Sequence, residues 1–93
     1  MLNHFKRYQN IYFLGIGGVG MSGLAGWCSM HKYNIMGYDR SKSDFTLKLK
    51  SKGVKIHHKL SVSEIPVSFL NNRKTLIVYT PAISKNHIIY QFF

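Results

Sequence analysis

Residues 15–20 read G-I-G-G-V-G, which sets Gly15, Gly17 and Gly20 in G-x-G-x-x-G spacing. Such a run can cradle a phosphate with no charged side chain. The first glycine permits a tight turn off a strand, the second removes the Cβ where backbone approaches a pyrophosphate, and the third lets a helix pack closely on the strand. The helix that follows offers unpaired N–H groups and the positive end of its dipole to an anion. Ser22 adds a hydroxyl in the first turn. Asp39 lies about 20 residues farther on, where a carboxylate can accept hydrogen bonds from ribose hydroxyls. It can equally cap its loop or pair with Arg40. The chemistry implied is the holding of a nucleoside diphosphate.

That reading requires a strand before the glycines and a helix after them. I-Y-F-L at 11–14 is β-branched and aromatic without charge, as a buried strand is. From Gly18 to about Lys32 the pattern is helical, with Met21, Leu24, Ala25 and Cys28 on one face. N-I-M-G-Y at 34–38 gives a second strand ending at Asp39. Ser43 can cap a helix over about 44–52, which Gly53 would end in a left-handed conformation. Phe45, Leu47 and Leu49 alternate as in a strand, but V-K-I-H at 54–57 is itself a strand, and parallel neighbours need a crossover between them. A short helical turn near 61–65, a strand T-L-I-V-Y at 75–79 and a helix over 84–92 complete the chain. The expected fold is α/β: a Rossmann-like three-layer domain, with a parallel sheet of order 3-2-1-4 and helices on both faces. That order leaves open a further strand beyond the four.

A length of 93 residues suits one domain, 1–93, and its 45% apolar fraction, spread along the chain, excludes disorder. Thirteen Lys and Arg stand against three acidic residues, a net charge of +10. That balance suits an anionic partner or simply solvates the surface. The lone Cys28 permits no internal disulfide. The first residues lack the apolar run of a signal peptide, and no stretch is long and apolar enough to span a bilayer. A cytoplasmic location is expected, with neither membrane nor nucleic acid as partner, since no stacking platform or recognition helix is evident.

Four segments extend the reading. I-Y-F-L-G-I-G-G-V-G-M-S-G-L-A at 11–25, G-Y-D-R-S at 37–41, G-V-K-I-H-H at 53–58 and I-V-Y-T-P-A-I-S at 77–84 together resemble, in order, the N-terminal domain of the Mur ligase family. The similarity is greatest to the branch that joins L-alanine to UDP-N-acetylmuramate in peptidoglycan synthesis. The resemblance implies a UDP-sugar site, with Gly15, Gly17, Gly18, Val19, Gly20, Met21 and Ser22 at the diphosphate. It places Asp39 near the uridine and Thr80, Pro81, Ala82 and Ile83 beside the ligand. Members of the family use ATP and magnesium to form an acyl phosphate that an amino group attacks. Those cofactors belong to a central domain with a G-K-[ST] loop, and no such loop occurs here. The chain therefore reads as a fragment of a longer ligase, without catalytic residues, cofactor or metal of its own, and inactive without the central and C-terminal domains. Its apolar tail, I-I-Y-Q-F-F, fits that reading. The rival reading is a regulatory module that binds NAD(H) or a similar dinucleotide without catalysis.

The remaining candidates are weaker. His57 and His58 are neighbours at a strand end and so point to opposite faces, which disfavours a shared metal. They read as polar loop residues, one of which can still reach a ligand. His4, His31 and His87 have no ligand pattern around them. Cys28 reads as core. Trp27 reads as cover for a helix–sheet seam or a partner surface, and the lysines at 48, 50, 52 and 55 as a solvated face.

Overall fold

The computed structural model describes residues 8–70 and 73–93. Its elements run β1 (Asn10–Leu14), α1 (Val19–Ser29), β2 (Asn34–Tyr38), α2 (Asp44–Ser51), β3 (Lys55–His57), two 3₁₀ turns (Val62–Glu64 and Val67–Leu70), β4 (Thr75–Tyr79) and α3 (Ile88–Phe92). The four strands are parallel and ordered β3-β2-β1-β4. The expected α/β fold, with strand order 3-2-1-4, is the one observed.

The charge-free run at 11–14 follows from the position of β1. It lies between β2 and β4, and all five of its residues are buried. Asn10 closes the amino end of the sheet: its amide donates to the Ser68 carbonyl at 2.8 Å, and its Oδ1 accepts from Asn34 Nδ2 at 3.0 Å. The carboxyl end is left to the loops after β1, β2 and β4.

Alternation along β1 divides the core. Ile11 and Phe13 face Ile16, Met21, Ala25, Cys28, Ile35, Leu49 and Val54, beneath α1 and α2. Tyr12 and Leu14 face Met36, Tyr38, Ile65, Phe69 and Ile89, beneath the 3₁₀ turns and α3. Among the described residues the second face thus has one short α-helix: residues 84–87, expected to be helical, form a turn before α3. Phe93 packs on the Tyr12 ring at 5.0 Å, whereas Phe92 is exposed. Leu24 departs from expectation: it is 39% exposed, while Met21, Ala25 and Cys28 are buried. Trp27 is also partly exposed and stacks on His31, with ring centroids 4.0 Å apart.

Two glycines are fixed by backbone geometry. Gly53 ends α2 at φ +91°, as its position in sequence implied. Gly37, inside β2, has no room for a side chain: a Cβ there would lie 2.5 Å from the Phe13 carbonyl oxygen and 2.9 Å from Ile16 Cβ. This close approach lets the residues after β1 fold across β2, where Gly15 and Ile16 both donate to the Tyr38 carbonyl at 2.8 and 3.0 Å. At the sheet's edge, β4 pairs with β1; Leu76, Ile77 and Val78 are half-buried, and Tyr79 is 47% exposed.

Candidate nucleotide-diphosphate site

The chain reverses its direction across the sheet between β1 and β4, because β2 and β3 lie on one side of β1 and β4 on the other. Loops from adjacent strands then diverge at the carboxyl edge and leave a crevice, the usual ligand position in open α/β sheets. Here the two loops meet. A Cβ on Gly15 would lie 3.7 Å from Ile83 Cδ1, and residues 80–83 form a turn closed by the Ile83 N–H on the Thr80 carbonyl at 3.0 Å. Thr80 and Ile83 are half-buried; Pro81 and Ala82 are exposed on the rim.

Gly15 takes φ +91°, so the tight turn expected of the first glycine is present. Gly18 then caps α1 from extended backbone and makes no side-chain cap bond, and no acidic residue lies in the first turn. The first helical bond recorded runs from the Ser22 N–H to the Gly18 carbonyl at 2.7 Å. The N–H groups of residues 19–21 precede that bond and have no carbonyl four residues back within the helix. They form an edge of backbone donors at the uncapped start of α1. Met21 offers only its backbone, because its side chain is part of the core. Ser22 is buried along the α1 flank that faces α2.

The third glycine differs from expectation, and the second has neighbours within the protein that its sequence position does not announce. A Cβ on Gly17 would meet the protein itself: Asp39 Oδ2 at 2.8 Å and Thr46 Cγ2 at 3.0 Å. The bare position thus gives room to the Asp39 carboxylate, whose Oδ2 accepts the Gly17 N–H at 2.8 Å. A Cβ on Gly20 would meet nothing within 4 Å, so close helix–strand packing is not its task. Gly37 imposes close packing instead, from β2.

Asp39 sits at the end of β2, half-buried, next to the glycine loop. Its Oδ1 accepts the Ser41 N–H at 2.9 Å, so the carboxylate caps its own loop and also ties the glycine loop down. His58 and Lys50 enter this region too: His58 Nδ1 lies 2.8 Å from the Asp39 carbonyl and Nε2 lies 2.9 Å from Lys50 Nζ. Sequence reading left Lys50 on a solvated face. The signal that could have found it is an interval that brings the last turn of α2 beside the end of β3.

His57 is not a polar loop residue. It is 7% exposed, and its Nε2 accepts the Tyr12 hydroxyl at 2.6 Å, while Nδ1 donates to the Lys59 carbonyl at 3.1 Å. Burial pushes its pKa below the usual histidine value, opposed in part by the Lys59 carbonyl and Glu64. Burial also raises the Tyr12 phenol and the Cys28 thiol.

Residues 10–91 match the sequence profile of the Mur ligase family, catalytic domain. The chain belongs to the Mur ligase family. This Mur ligase chain is 42% identical over 90 residues to UDP-N-acetylmuramate–L-alanine ligase of Cytophaga hutchinsonii, covering 97% of the chain and 19% of the relative. It is 39% identical over 92 residues to the ligase of the same name from Christiangramia forsetii, covering 98% of the chain and 20% of the relative. The Porphyromonas gingivalis ligase is 36% identical over 85 residues, with 91% and 19% covered. The Mur ligase chain thus spans about a fifth of the length of these curated relatives.

Proposed function

We propose that this chain binds the UDP end of UDP-N-acetylmuramate, as the N-terminal substrate domain of a cytoplasmic ligase that adds L-alanine in peptidoglycan synthesis. The observation that carries the reading is the uncapped start of α1 opening beside the 80–83 turn at the sheet's switch point. The amides of Val19, Gly20 and Met21 take the diphosphate, with the bare backbone of Gly15, Gly17 and Gly18 shaping the cradle and Ser22 closing its first turn. Asp39 accepts from the ribose, and Thr80, Pro81, Ala82 and Ile83 border the uridine and sugar.

ATP and magnesium act in the rest of the ligase. Among the described residues, no group of three or more His, Cys, Asp or Glu is arranged to hold a metal ion. The three carboxylates are also dispersed: Asp39 is bonded to Gly17 and Ser41, Asp44 opens α2, and Glu64 lies 3.7 Å from His57. They do not fit a magnesium site. Among the described residues no helix is long and apolar enough to cross a membrane.

A ligand bound only by the folded state raises its melting temperature. UDP-N-acetylmuramate is expected to raise it more than NAD at matched concentration. Equal or greater stabilisation by NAD would favour a dinucleotide-sensing module and sink the ligase reading. The same sample, given alanine, ATP and magnesium, is expected to release no phosphate.

A further inference from the structure

His58 follows β3 and is half-buried beside Asp39. Its two ring nitrogens have partners of opposite kind: the Asp39 carbonyl at 2.8 Å from Nδ1 and the Lys50 ammonium at 2.9 Å from Nε2. A carbonyl only accepts and an ammonium only donates. The pair therefore fixes the tautomer, with hydrogen on Nδ1 and the lone pair on Nε2. Asp39 is held at its other atoms as well. Its N–H donates to the His57 carbonyl at 3.2 Å, and its carboxylate accepts from Gly17 and Ser41 at 2.8 and 2.9 Å. One residue thus joins the glycine loop, the end of β2, the end of β3 and, through His58, the last turn of α2.

We propose that His58 is a positioning residue of the nucleotide site: its Nδ1–H bond to the Asp39 carbonyl aims the Asp39 carboxylate at the Gly17 N–H and at the ribose of the ligand. The ribose half of this statement rests on the function proposed above. Each carboxylate oxygen keeps acceptor capacity beyond the bond it already makes, so Asp39 can hold the loop and accept from a hydroxyl together. Without the His58 bond, the 39–43 loop is tied to β3 only by the Asp39 N–H on the His57 carbonyl, and the aim of the carboxylate is loosened. The cradle and the ribose acceptor then stop being one rigid unit, and preorganisation for the ligand is lost.

The test compares His58→Ala, His58→Gln and His58→Asn in the whole chain. The asparagine amide nitrogen can take the place of Nδ1, whereas the glutamine amide reaches toward the Nε2 position. Titration calorimetry with UDP-N-acetylmuramate is expected to show at least tenfold weaker binding for the Ala and Gln variants and binding within threefold of the parent for Asn. In the unliganded proteins, hydrogen exchange of the Gly17 amide is expected to quicken several-fold in Ala and Gln and not in Asn. A merely structural role would instead lower all three melting temperatures without this donor-specific rescue. Parent-like binding by the Ala and Gln variants overturns the proposal, as does equal weakening of all three with Gly17 exchange unchanged. If the parent chain does not bind UDP-N-acetylmuramate, the functional reading fails. Gly17 exchange then decides the role of His58 alone: faster exchange in Ala and Gln sustains its link to the glycine loop, and unchanged exchange removes it.

Discussion

The α1 and α2 helices lie side by side over one face of the sheet, yet they begin in opposite ways. Ser43 caps α2 and forms a complete capping box: its hydroxyl accepts the Thr46 N–H at 3.3 Å, and Thr46 Oγ1 accepts the Ser43 N–H at 2.9 Å. Asp44 adds a negative charge to that first turn. The start of α1 has glycine at the cap, no side-chain bond and no acid. Of these two helices, the chain closes the start of α2 with side chains and leaves that of α1 open. An open start is stable in water but gains most from an anion, so the contrast separates a helix end built for the fold from one left available to a ligand.

The largest expected effect comes from making α1 resemble α2. Gly18 has φ −61° and ψ 151°, which any residue adopts, and a Cβ there would make only ordinary contacts of 3.5 Å or more. Gly18→Asp is expected to leave the free chain as stable or stabilise it by a few tenths of a kcal/mol. It is expected to weaken UDP-N-acetylmuramate binding at least a hundredfold, about 2.7 kcal/mol, by placing a carboxylate against the diphosphate. Unchanged affinity in calorimetry would show that the open start is not the ligand's seat. Gly17→Ala should act on the free chain itself, since the added methyl meets Asp39 and Thr46. Urea unfolding is expected to show a loss of about 1–3 kcal/mol, accompanied by weaker binding. A loss from binding alone would return Gly17 to a ligand-clearance role. The reverse operation, Ser43→Ala, is expected to cost about 1 kcal/mol and lower the melting temperature by roughly 4–8 °C, with ligand affinity within about threefold of the parent.

The smallest effect is expected on the opposite face of the sheet, where the His57 side chain meets Tyr12. His57 is held neutral, with its folded pKa lowered chiefly by burial. The unfolded chain therefore takes up the proton first as pH falls, so stability is full above the ordinary histidine pKa of about 6.5 and declines below it. Denaturant titrations at pH 7.5 and 5.5 should differ in that sense, and the difference should shrink in His57→Gln. A chain more stable at pH 5.5 would contradict the burial of a neutral ring.

Much of the fold was legible because its signals are local. The strand at 11–14, the Ser43 cap and the Gly53 stop each follow from a few adjacent residues; alternating strands and crossovers imply the parallel sheet, and the doubly wound pattern its order. What escaped depends on distant contacts. Nothing near Gly37 in sequence announces that Ile16 packs over it. The role of Gly17 depends on Asp39 and Thr46, and that of His58 on Lys50 and Asp39. His57 read as loop because its partner, Tyr12, lies on another strand. Leu24 fitted the helical period of its buried neighbours, yet among the described residues it joins neither core cluster and remains exposed.

The edge position of β4 bears on the polypeptide's behaviour as a colloid. An edge strand presents a row of backbone groups to which another chain can pair, and proteins commonly discourage this with lysine, proline or a bulge. T-L-I-V-Y carries no charge and no proline, and three of its apolar side chains are only half-buried. Repulsion between molecules of net charge +10 opposes such pairing. Such repulsion is long-ranged in dilute buffer and is screened within about 8 Å at physiological ionic strength. Screening by salt therefore shortens the distance at which that repulsion acts, and with it the separation at which the β4 edge of one molecule can meet another.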